Sequence, residues 1–374
     1  MSSAPLLSSL RPAGPRPRVE GRATQSTAFL VGPERLEIRE VSVPDPGPGE
    51  LLLRIGAATT CGTDLKVFQR GGHPRMLRAP TPFGHEMAGT VAAVGPEVER
   101  WRVGDRVVVA NSAPCGVCEW CARGRENLCA DLQYLNGAFS EYLLVPRRFA
   151  AVGTYRLPDP LPFEIAALAE PLACVLHGLE ISALERASEI VVYGGGPIGL
   201  LFVDVLANSP ADFPAGGEHH IVLADPNPSR LEVGLTIGAD EAVQVGRDGG
   251  EAPRLCGRSR TRDGFDLAIE ATGSPAAWQD ALASVRPGGL VQLFGGCPPG
   301  TTVPLDTHHL HYSEITVKSA YHHRPATFQR ALDLLAGGLL HPESLLSAER
   351  PLAELEAALR SMRRREALKV VIRP

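Results

Sequence analysis

The sequence predicts an α/β protein in which a β-rich, barrel-like domain is interrupted by a doubly wound parallel sheet. Two observations support this fold class. Short alternating or apolar segments separated by Gly/Pro turns fill the chain up to about residue 158, whereas short apolar strands alternate with helical segments after residue 171. The chain then returns to a β-type pattern and ends in the strand-like segment LKVVIRP. At 374 residues it is long enough for two domains with substantial cores.

The composition excludes several classes of protein. A hydrophobic fraction of 44% and a charged fraction of 21% are typical of globular chains. A net charge of −5 provides no basic surface for nucleic acid, and no apolar run approaches the roughly 20 residues of a membrane span. Half of the eight cysteines are clustered as for a metal rather than spread as a disulfide framework. We therefore expect a cytoplasmic protein that binds neither nucleic acid nor membrane.

The N-terminal segment differs from the rest of the chain. It is rich in Pro, Ser and Arg and lacks the apolar core of a secretory signal. An Arg-rich start is also typical of a transit peptide, but Pro12, Pro15 and Pro17 would break the amphipathic helix of such a peptide. We expect residues 1–27 to be a disordered tail, or the product of a start codon assigned too early, and the fold to begin near Ala28.

The segment 28–172 is the predicted β-rich domain. Several of its segments are continuously apolar or alternate between apolar and polar residues, and turns separate them, which is typical of antiparallel strands. These segments are LEIREV, ELLLRIGAAT, MAGTVAAVG and VGDRVVV. Its loops carry Cys61, His85 and four clustered cysteines, namely Cys115, Cys118, Cys121 and Cys129. This CxxCxxC spacing with a fourth cysteine lets one short loop surround a tetrahedral metal, so a closed structural zinc site is favoured. An iron–sulfur cluster and unligated or disulfide-bonded cysteines remain the alternatives.

The segment 173–318 is the predicted parallel-sheet domain. EIVVY is a short buried strand, and the glycine-rich turn GGGPIG follows it and opens the helix PIGLLFVDVLA. A GxGxxG motif between a strand and a helix indicates a dinucleotide site, because its glycines allow close approach to a pyrophosphate at a helix N-terminus. Residues 319–374, with two amphipathic helices and the last strand, should return to the first domain. The residues expected to contact the dinucleotide are Gly194, Gly196, Pro197, Ile198, Gly199, Asp225 and Arg230.

Asp225 ends the second strand, IVLADP, where a carboxylate binds the ribose diol and repels a 2′-phosphate. The sequence therefore favours NAD over NADP, although Arg230 would suit NADP if it is not simply a solvated helix residue. The distance from Gly199 to Asp225 is longer than usual, because the Pro/Gly-rich insert NSPADFPAGGEHH, a predicted surface loop, lies between them.

Two further motifs, Cys61-Gly-Thr-Asp64 and Gly84-His85-Glu86, precede the cysteine quartet. Together with the quartet and the glycine turn, they resemble the zinc-dependent medium-chain dehydrogenases, in the polyol (sorbitol) and threonine dehydrogenase-like branch. The resemblance covers roughly residues 28–374. It implies a GroES-like catalytic domain interrupted by a Rossmann domain, two zinc ions per subunit, NAD, a small alcohol substrate and a homodimer or homotetramer.

The same resemblance implies roles for individual residues. Cys61 and His85 would be ligands of a catalytic zinc, and Asp64 would orient the His85 ring. Glu170 stands where polyol- and threonine-type relatives have a glutamate and simple alcohol dehydrogenases a cysteine. Glu86 would be a further ligand or an exchange partner, and the thiol of Cys174 could compete with Glu170.

The implied reaction is hydride transfer from a secondary alcohol, such as a polyol, cyclitol or amino alcohol, to NAD. Thr63 would contact the substrate oxygen and pass on its proton. Many relatives continue the relay with a histidine three residues later, where this chain has Lys66. The alternatives are a primary alcohol or aldehyde substrate and a non-catalytic NAD-binding relative.

The sequence assigns no role to two histidine clusters or to Lys369. We expect the histidines of two clusters to be loop or capping groups, with substrate contact as the alternative, and Lys369 resembles a basic residue near the cofactor phosphates in some relatives. The two clusters are His308, His309 and His311, and His322 and His323.

Overall fold

The computed structural model describes residues 23–182, 187–210 and 218–374. Most of the expected tail and the middle of the predicted insert loop, residues 211–217, lie outside the described residues. The predicted start near Ala28 is wrong by a few residues, because the first strand already begins at Thr24. The physical reason is that Thr24 to Thr27 pair with the second strand, and the buried Gln25 side chain accepts a hydrogen bond from the Tyr142 backbone.

In the described residues, the β-rich part has twelve strands and five α-helices before the chain enters the parallel sheet. The strands are β1 Thr24–Gly32, β2 Arg35–Ser42, β3 Leu51–Thr59, β4 Gly72–His73, β5 Leu77–Arg78, β6 Thr81–Pro82, β7 Met87–Val94, β8 Arg106–Val109, β9 Ser112–Ala113, β10 Gln133–Tyr134, β11 Tyr142–Val145 and β12 Thr154–Arg156. The helices are α1 Gly62–Arg70, α2 Glu119–Ala122, α3 Arg147–Val152, α4 Phe163–Ala166 and α5 Ala169–Glu180.

The second part is a parallel sheet with helices between its strands. Its strands are β13 Glu189–Tyr193, β14 His220–Asp225, β15 Glu241–Gln244, β16 Phe265–Glu270, β17 Val285–Leu293 and β18 Thr316–Ser319. The intervening helices are α6 Pro197–Asn208, α7 Pro228–Thr236, α8 Ala252–Cys256, α9 Pro275–Ser284 and α10 Thr307–Tyr312. The strand order is β15-β14-β13-β16-β17-β18, so strands β13 to β15 extend the sheet to one side and β16 to β18 extend it to the other. This change of side between β13 and β16 opens a ligand crevice at the carboxyl ends of the parallel strands. The predicted α/β fold class is confirmed.

The C-terminal segment contacts both parts. It forms α11 Pro325–Gly337, β19 Leu346–Pro351, α12 Leu355–Arg363 and β20 Lys369–Arg373. Strand β20 pairs with β3, which joins the end of the chain to a seven-stranded sheet that also contains β7, β8, β11, β12 and β19. The expectation that residues 319–374 return to the β-rich domain stays a prediction for α11. This helix buries Phe328 and Leu332 in a hydrophobic core that contains Tyr155 of the β-rich part as well as Ile190 and Leu200 of the parallel-sheet part. The Phe328 ring stacks on the Tyr155 ring of β12.

Helix α5 connects the two parts and is buried along almost its whole length. It packs against α6 and α11 while its first turn, which carries Glu170, faces the β-rich part at Asn111. Polar groups on α5 therefore lie where the two parts meet. Among the described residues, no helix is long and apolar enough to cross a membrane.

Candidate active site

Cys61, His85 and Glu86 meet between β3 and β7. Cys61 is the N-cap of α1, where its Sγ accepts a hydrogen bond from the Thr63 backbone at 3.4 Å. His85 and Glu86 immediately precede β7, whose pairing with β3 brings them to Cys61. One ligand atom from each of the three residues lies within 4.8 Å of the others. A thiolate, an imidazole and a carboxylate at these separations can share one metal ion.

The carboxylate of Asp64 contacts both Cys61 and His85. Its Oδ2 accepts a hydrogen bond from the Cys61 backbone at 3.0 Å, which completes the capping of α1, and its Oδ1 lies 2.9 Å from His85 Nδ1. Burial alone would lower the pKa of His85, but the Asp64 carboxylate and Cys61 raise it well above its ordinary value. Because Nδ1 is held by Asp64, the other ring nitrogen of His85, Nε2, is left for a metal.

Glu86 forms a buried ion pair with Lys369 on β20. The Lys369 Nζ lies 2.9 Å and 2.7 Å from the two carboxylate oxygens, and Thr59 Oγ1 donates a further hydrogen bond to Glu86. Burial lowers the pKa of Lys369, but the charges of Glu86 and Cys61 outweigh that effect and raise it, so the ammonium form persists. The interpretation of Lys369 as a coenzyme-phosphate residue is therefore wrong, since its charge is directed to Glu86.

Glu170 lies in the first turn of α5 and is buried. Its Oε1 accepts a hydrogen bond from Asn111 Nδ2 at 2.8 Å, and the Cys174 Sγ is 4.0 Å from the same oxygen. The ligand atoms of Glu170 group with those of His322 and His323 rather than with the full set of Cys61, His85 and Glu86. Burial raises the pKa of Glu170 to about 7, against the opposing charge of His85, so the two groups lie close enough to influence one another.

The sequence interpretation underestimated His322 and His323. His323 is buried, with Nε2 2.9 Å from Asn111 Oδ1, and His322 Nε2 lies 2.7 Å from Ser112 Oγ. Burial lowers the pKa of His323 to about 3, so its ring is neutral. The sequence signal that could have indicated a site here is a histidine pair directly after the last parallel strand, where the chain returns toward the β-rich part. The contacts of His322 with Ser112 and of His323 with Asn111 are not visible from the sequence.

The other histidine cluster, on α10, stays outside this site. Asp306 caps α10 by accepting hydrogen bonds from the backbones of His308 and His309 at 3.0 Å. The expectation that these histidines are loop or capping groups is therefore wrong, because all three lie inside the helix and the cap is the Asp306 carboxylate. His308 and His311 pack against the Tyr312 ring. These contacts are local and structural.

The glycine-rich turn lies between β13 and α6. Gly194 has a φ of +108°, and a Cβ at Gly199 would lie 1.7 Å from the Gly194 carbonyl oxygen, so both positions require glycine. Asp225, at the end of β14, accepts hydrogen bonds from the Gly195 backbone at 2.7 Å and the Asn227 backbone at 2.8 Å. Its carboxylate is thereby held beside the turn.

A cavity of 480 Å³ extends from this turn to α1. Gly194, Gly196, Pro197, Asp225 and Arg230, which the sequence predicts to contact a dinucleotide, line this cavity. Ile198 instead packs against the hydrophobic core. The cavity is also lined by Lys66, which stands where many relatives have the relay histidine.

The four clustered cysteines converge in a lobe between β9 and β10. Their Sγ atoms all lie within 4.8 Å of one another, with separations such as 3.6 Å for Cys118–Cys121 and 3.9 Å for Cys118–Cys129. Four sulfurs about 2.3 Å from one tetrahedral zinc would be about 3.8 Å apart. All eight cysteines are free, so the disulfide alternative is not realised. Backbone hydrogen bonds lower the pKa of Cys118 to about 6, whereas burial raises the pKa of Cys121 and of Cys129.

Comparison with known protein families gives two matches. The Alcohol dehydrogenase GroES-like domain matches residues 47–159, and the Zinc-binding dehydrogenase family matches residues 213–337. The sorbitol dehydrogenase of Bacillus subtilis is 33% identical over 356 residues, which cover 93% of this chain and 96% of that protein. The L-threonine 3-dehydrogenase of Chromobacterium violaceum is 29% identical, with 84% and 89% of the two chains covered.

Solved structures share the same fold. A zinc-binding dehydrogenase from Sinorhizobium meliloti bound to NADP matches with a TM-score of 0.84 and 27% identity, covering 94% of this chain and 100% of that chain. The 2R,3R-butanediol dehydrogenase of Bacillus subtilis matches with a TM-score of 0.81 and 26% identity, covering 94% and 99%.

Proposed function

Because this chain belongs to the zinc-dependent medium-chain dehydrogenase family, in its sorbitol and threonine dehydrogenase-like branch, we propose that Cys61, His85 and a carboxylate hold a catalytic zinc ion. The protein is an oxidoreductase that acts on secondary alcohols or polyols with zinc and a nicotinamide cofactor. The observation that carries the site proposal is the convergence of three ligand types within 4.8 Å, beside a glycine-turn cavity. When bound there, zinc would lower the pKa of the substrate hydroxyl.

We propose Glu170 as the third protein ligand and Glu86 as its exchange partner. Glu86 is engaged by Lys369 and Thr59, whereas Glu170 accepts a single strong hydrogen bond, from Asn111, and so keeps lone pairs for a metal. Cys174 is less suited, because burial raises the pKa of its thiol well above the ordinary value and keeps it protonated. A Cys/His/Glu set leaves a fourth position for the substrate oxygen.

We propose that Thr63 begins the path of the substrate proton. It lies one residue from the Gly62 lining the cavity and two residues from Cys61. Its hydroxyl can accept the proton from the substrate oxygen and donate its own onward. Many relatives have a histidine as the next proton acceptor, but this chain has Lys66 at that position, where it lines the nucleotide cavity. In this proposal the proton therefore passes from Thr63 to the coenzyme ribose or to solvent.

The cysteine quartet supports a second, structural zinc ion. Its four sulfurs have the separations of a closed tetrahedral site, which leaves no position for substrate. We infer a reducing, cytoplasmic compartment from the same residues, since closely spaced thiols would pair oxidatively elsewhere.

The activity itself is tested with a substrate panel. Sorbitol, other polyols, cyclitols, amino alcohols and simple primary alcohols are incubated with NAD, and NADH absorbance is followed. We expect the highest kcat/KM for a secondary alcohol with a neighbouring hydroxyl or amine, and two zinc ions per subunit by elemental analysis. Oxidation of primary alcohols alone would support the alternative substrate class. A single zinc ion with no turnover would support a non-catalytic relative.

Asp225 determines the preference for NAD in this proposal. We expect Asp225→Ser to lower kcat/KM for NAD by about 10–100-fold, because a charge-assisted hydrogen bond to the ribose is worth about 1.5–3 kcal/mol. The ratio of NAD to NADP efficiency should fall with it, as the 2′-phosphate is no longer repelled. Steady-state kinetics with both coenzymes measure this ratio, which cancels any general damage to the turn. Asp263→Ser, at an exposed carboxylate, is the matched control, and an unchanged ratio in Asp225→Ser would contradict the assignment.

We infer that two copies of the chain associate through the β18 edge. Strand β18 pairs with β17 on one side, and its Val317 is exposed near the exposed Leu305, an arrangement that a second copy would cover. We expect Val317→Lys to shift the mass measured by light scattering toward that of the monomer. Val117→Lys, at an exposed valine of the cysteine lobe, should leave the mass unchanged. A wild-type monomer would refute the inference.

A further inference from the structure

A second polar cavity lies outside the coenzyme cleft. It has a volume of 670 Å³, and we call it the basic pocket, defined by Arg125, His177, Glu180, Lys318 and Arg324 among its lining residues. It is bounded by the cysteine lobe, the end of α5, the end of β18 and the segment that follows β18. None of its lining residues lines the cavity beside the glycine turn.

The cationic side chains of the basic pocket outnumber its carboxylate. Glu180 is already shared, since both Arg324 and Arg330 form ion pairs with it, and Arg324 also donates to the Gly124 carbonyl at 2.9 Å. Lys318 Nζ donates to the Ile181 carbonyl at 2.7 Å. Within the described parts of the chain, neither Lys318 nor Arg125 has a carboxylate at ion-pair distance. Two positive charges of the pocket are therefore not neutralised by the protein.

His177 supplies an independent observation. Its side chain lines the pocket and is 2% exposed, yet its Nδ1 has no hydrogen-bond partner in the described structure. Buried polar nitrogens without partners are rare, and each needs an explanation such as a ligand. Burial lowers the pKa of His177 to about 4, and the charges of Arg324 and Arg125 contribute in the same direction.

The basic pocket lies next to the proposed catalytic site. Arg324 directly follows His323, which contacts Asn111, the hydrogen-bond donor to Glu170. His177 lies on α5 two helical turns beyond Glu170, about 10 Å along the helix axis.

We propose that the basic pocket binds a phosphate or carboxylate group, with Arg125 and Lys318 as its cationic contacts and His177 and Arg324 beside them. Guanidinium and ammonium groups form strong charge-assisted hydrogen bonds with such oxyanions. The group can be a substituent of the alcohol substrate, in which case the inference rests on the proposed function, or a free anion that binds independently of turnover.

Binding is tested first, without reference to activity. Inorganic phosphate is titrated into the zinc-loaded protein by calorimetry, at two salt concentrations. We expect saturable binding that weakens with salt, and that Arg125→Gln and Lys318→Gln each weaken it by about 10-fold or more. Arg123→Gln, in the same lobe but outside the pocket, is the matched control. No binding to the wild type, or equal binding to all four proteins, would overturn the proposal.

The source of the anion is tested by kinetics. A neutral polyol is compared with its phosphate monoester as substrate. If the substrate carries the anion, the ester has the lower KM, Arg125→Gln removes that advantage, and inorganic phosphate competes with the ester. If the anion is free, the neutral polyol is oxidised and phosphate binds without competing with it; either result supports the pocket. Phosphate binding with no alcohol oxidised would contradict the proposed function while supporting the pocket.

Discussion

Replacing Cys61 with alanine should remove one of two zinc ions per subunit and lower kcat/KM for the alcohol by about 1,000-fold or more. The reason is that a metal contributes several kcal/mol of charge stabilisation to the transition state, and about 4 kcal/mol corresponds to a factor of about 1,000 in rate. The Sγ of Cys61 also caps α1, so some loss of stability should accompany the loss of metal. Elemental analysis and steady-state kinetics measure the two effects together.

Two matched cysteine variants make this result specific. Cys174→Ala should keep both zinc ions and most of the activity, because the thiol of Cys174 is not a ligand in the proposed set. Cys118→Ser should also remove one zinc ion, because the quartet loses a ligand, and the main consequence should be a less stable cysteine lobe, which thermal unfolding would report. A Cys61→Ala protein that retains two zinc ions and the wild-type rate would refute the proposed catalytic site.

The same measurements decide the third ligand. We expect Glu170→Ala to lose the catalytic zinc, because Glu170 has the carboxylate with unused lone pairs. Unchanged zinc content and rate in Glu170→Ala would transfer the ligand role to Glu86.

Replacing Lys369 with methionine should lower the free energy of unfolding by about 3–5 kcal/mol. Glu86 and Lys369 are almost completely buried, and removing one partner of such a pair leaves an uncompensated charge in the interior. Urea denaturation of the zinc-loaded protein, followed by circular dichroism, measures the change. Lys369 holds Glu86, which lies beside Cys61 and His85 at the proposed zinc site. The loss of Lys369 therefore also changes the active site, and kcat should fall.

A surface ion pair provides the contrast. Arg373 pairs with Glu164 and Glu349 at partly exposed positions of the strand that carries Lys369, and Arg373→Met should cost about 1 kcal/mol or less. The double variant Glu86→Gln with Lys369→Met should recover part of the stability, because neither charge then remains buried alone. A loss below about 1 kcal/mol for Lys369→Met would show that the pair carries little of the stability.

The features that the sequence determined by itself are those encoded over short distances along the chain. The cysteine quartet, the glycine turn and the capping box of Cys61 and Asp64 each lie within one short segment, so local geometry brings their groups together. The alternation of strands and helices likewise predicts the parallel sheet, because each element follows from its own periodicity. Family membership followed from these local motifs in their order.

The remaining features were decided by the tertiary structure. Glu86 and Lys369 are 283 residues apart, Asn111 and His323 are 212 residues apart, and no local pattern marks either pair. The packing of α11 also depends on the tertiary structure, since an amphipathic helix shows that it has an apolar face but not which residues will cover that face. Contacts between distant residues depend on how whole elements pack, and only the folded chain specifies that packing.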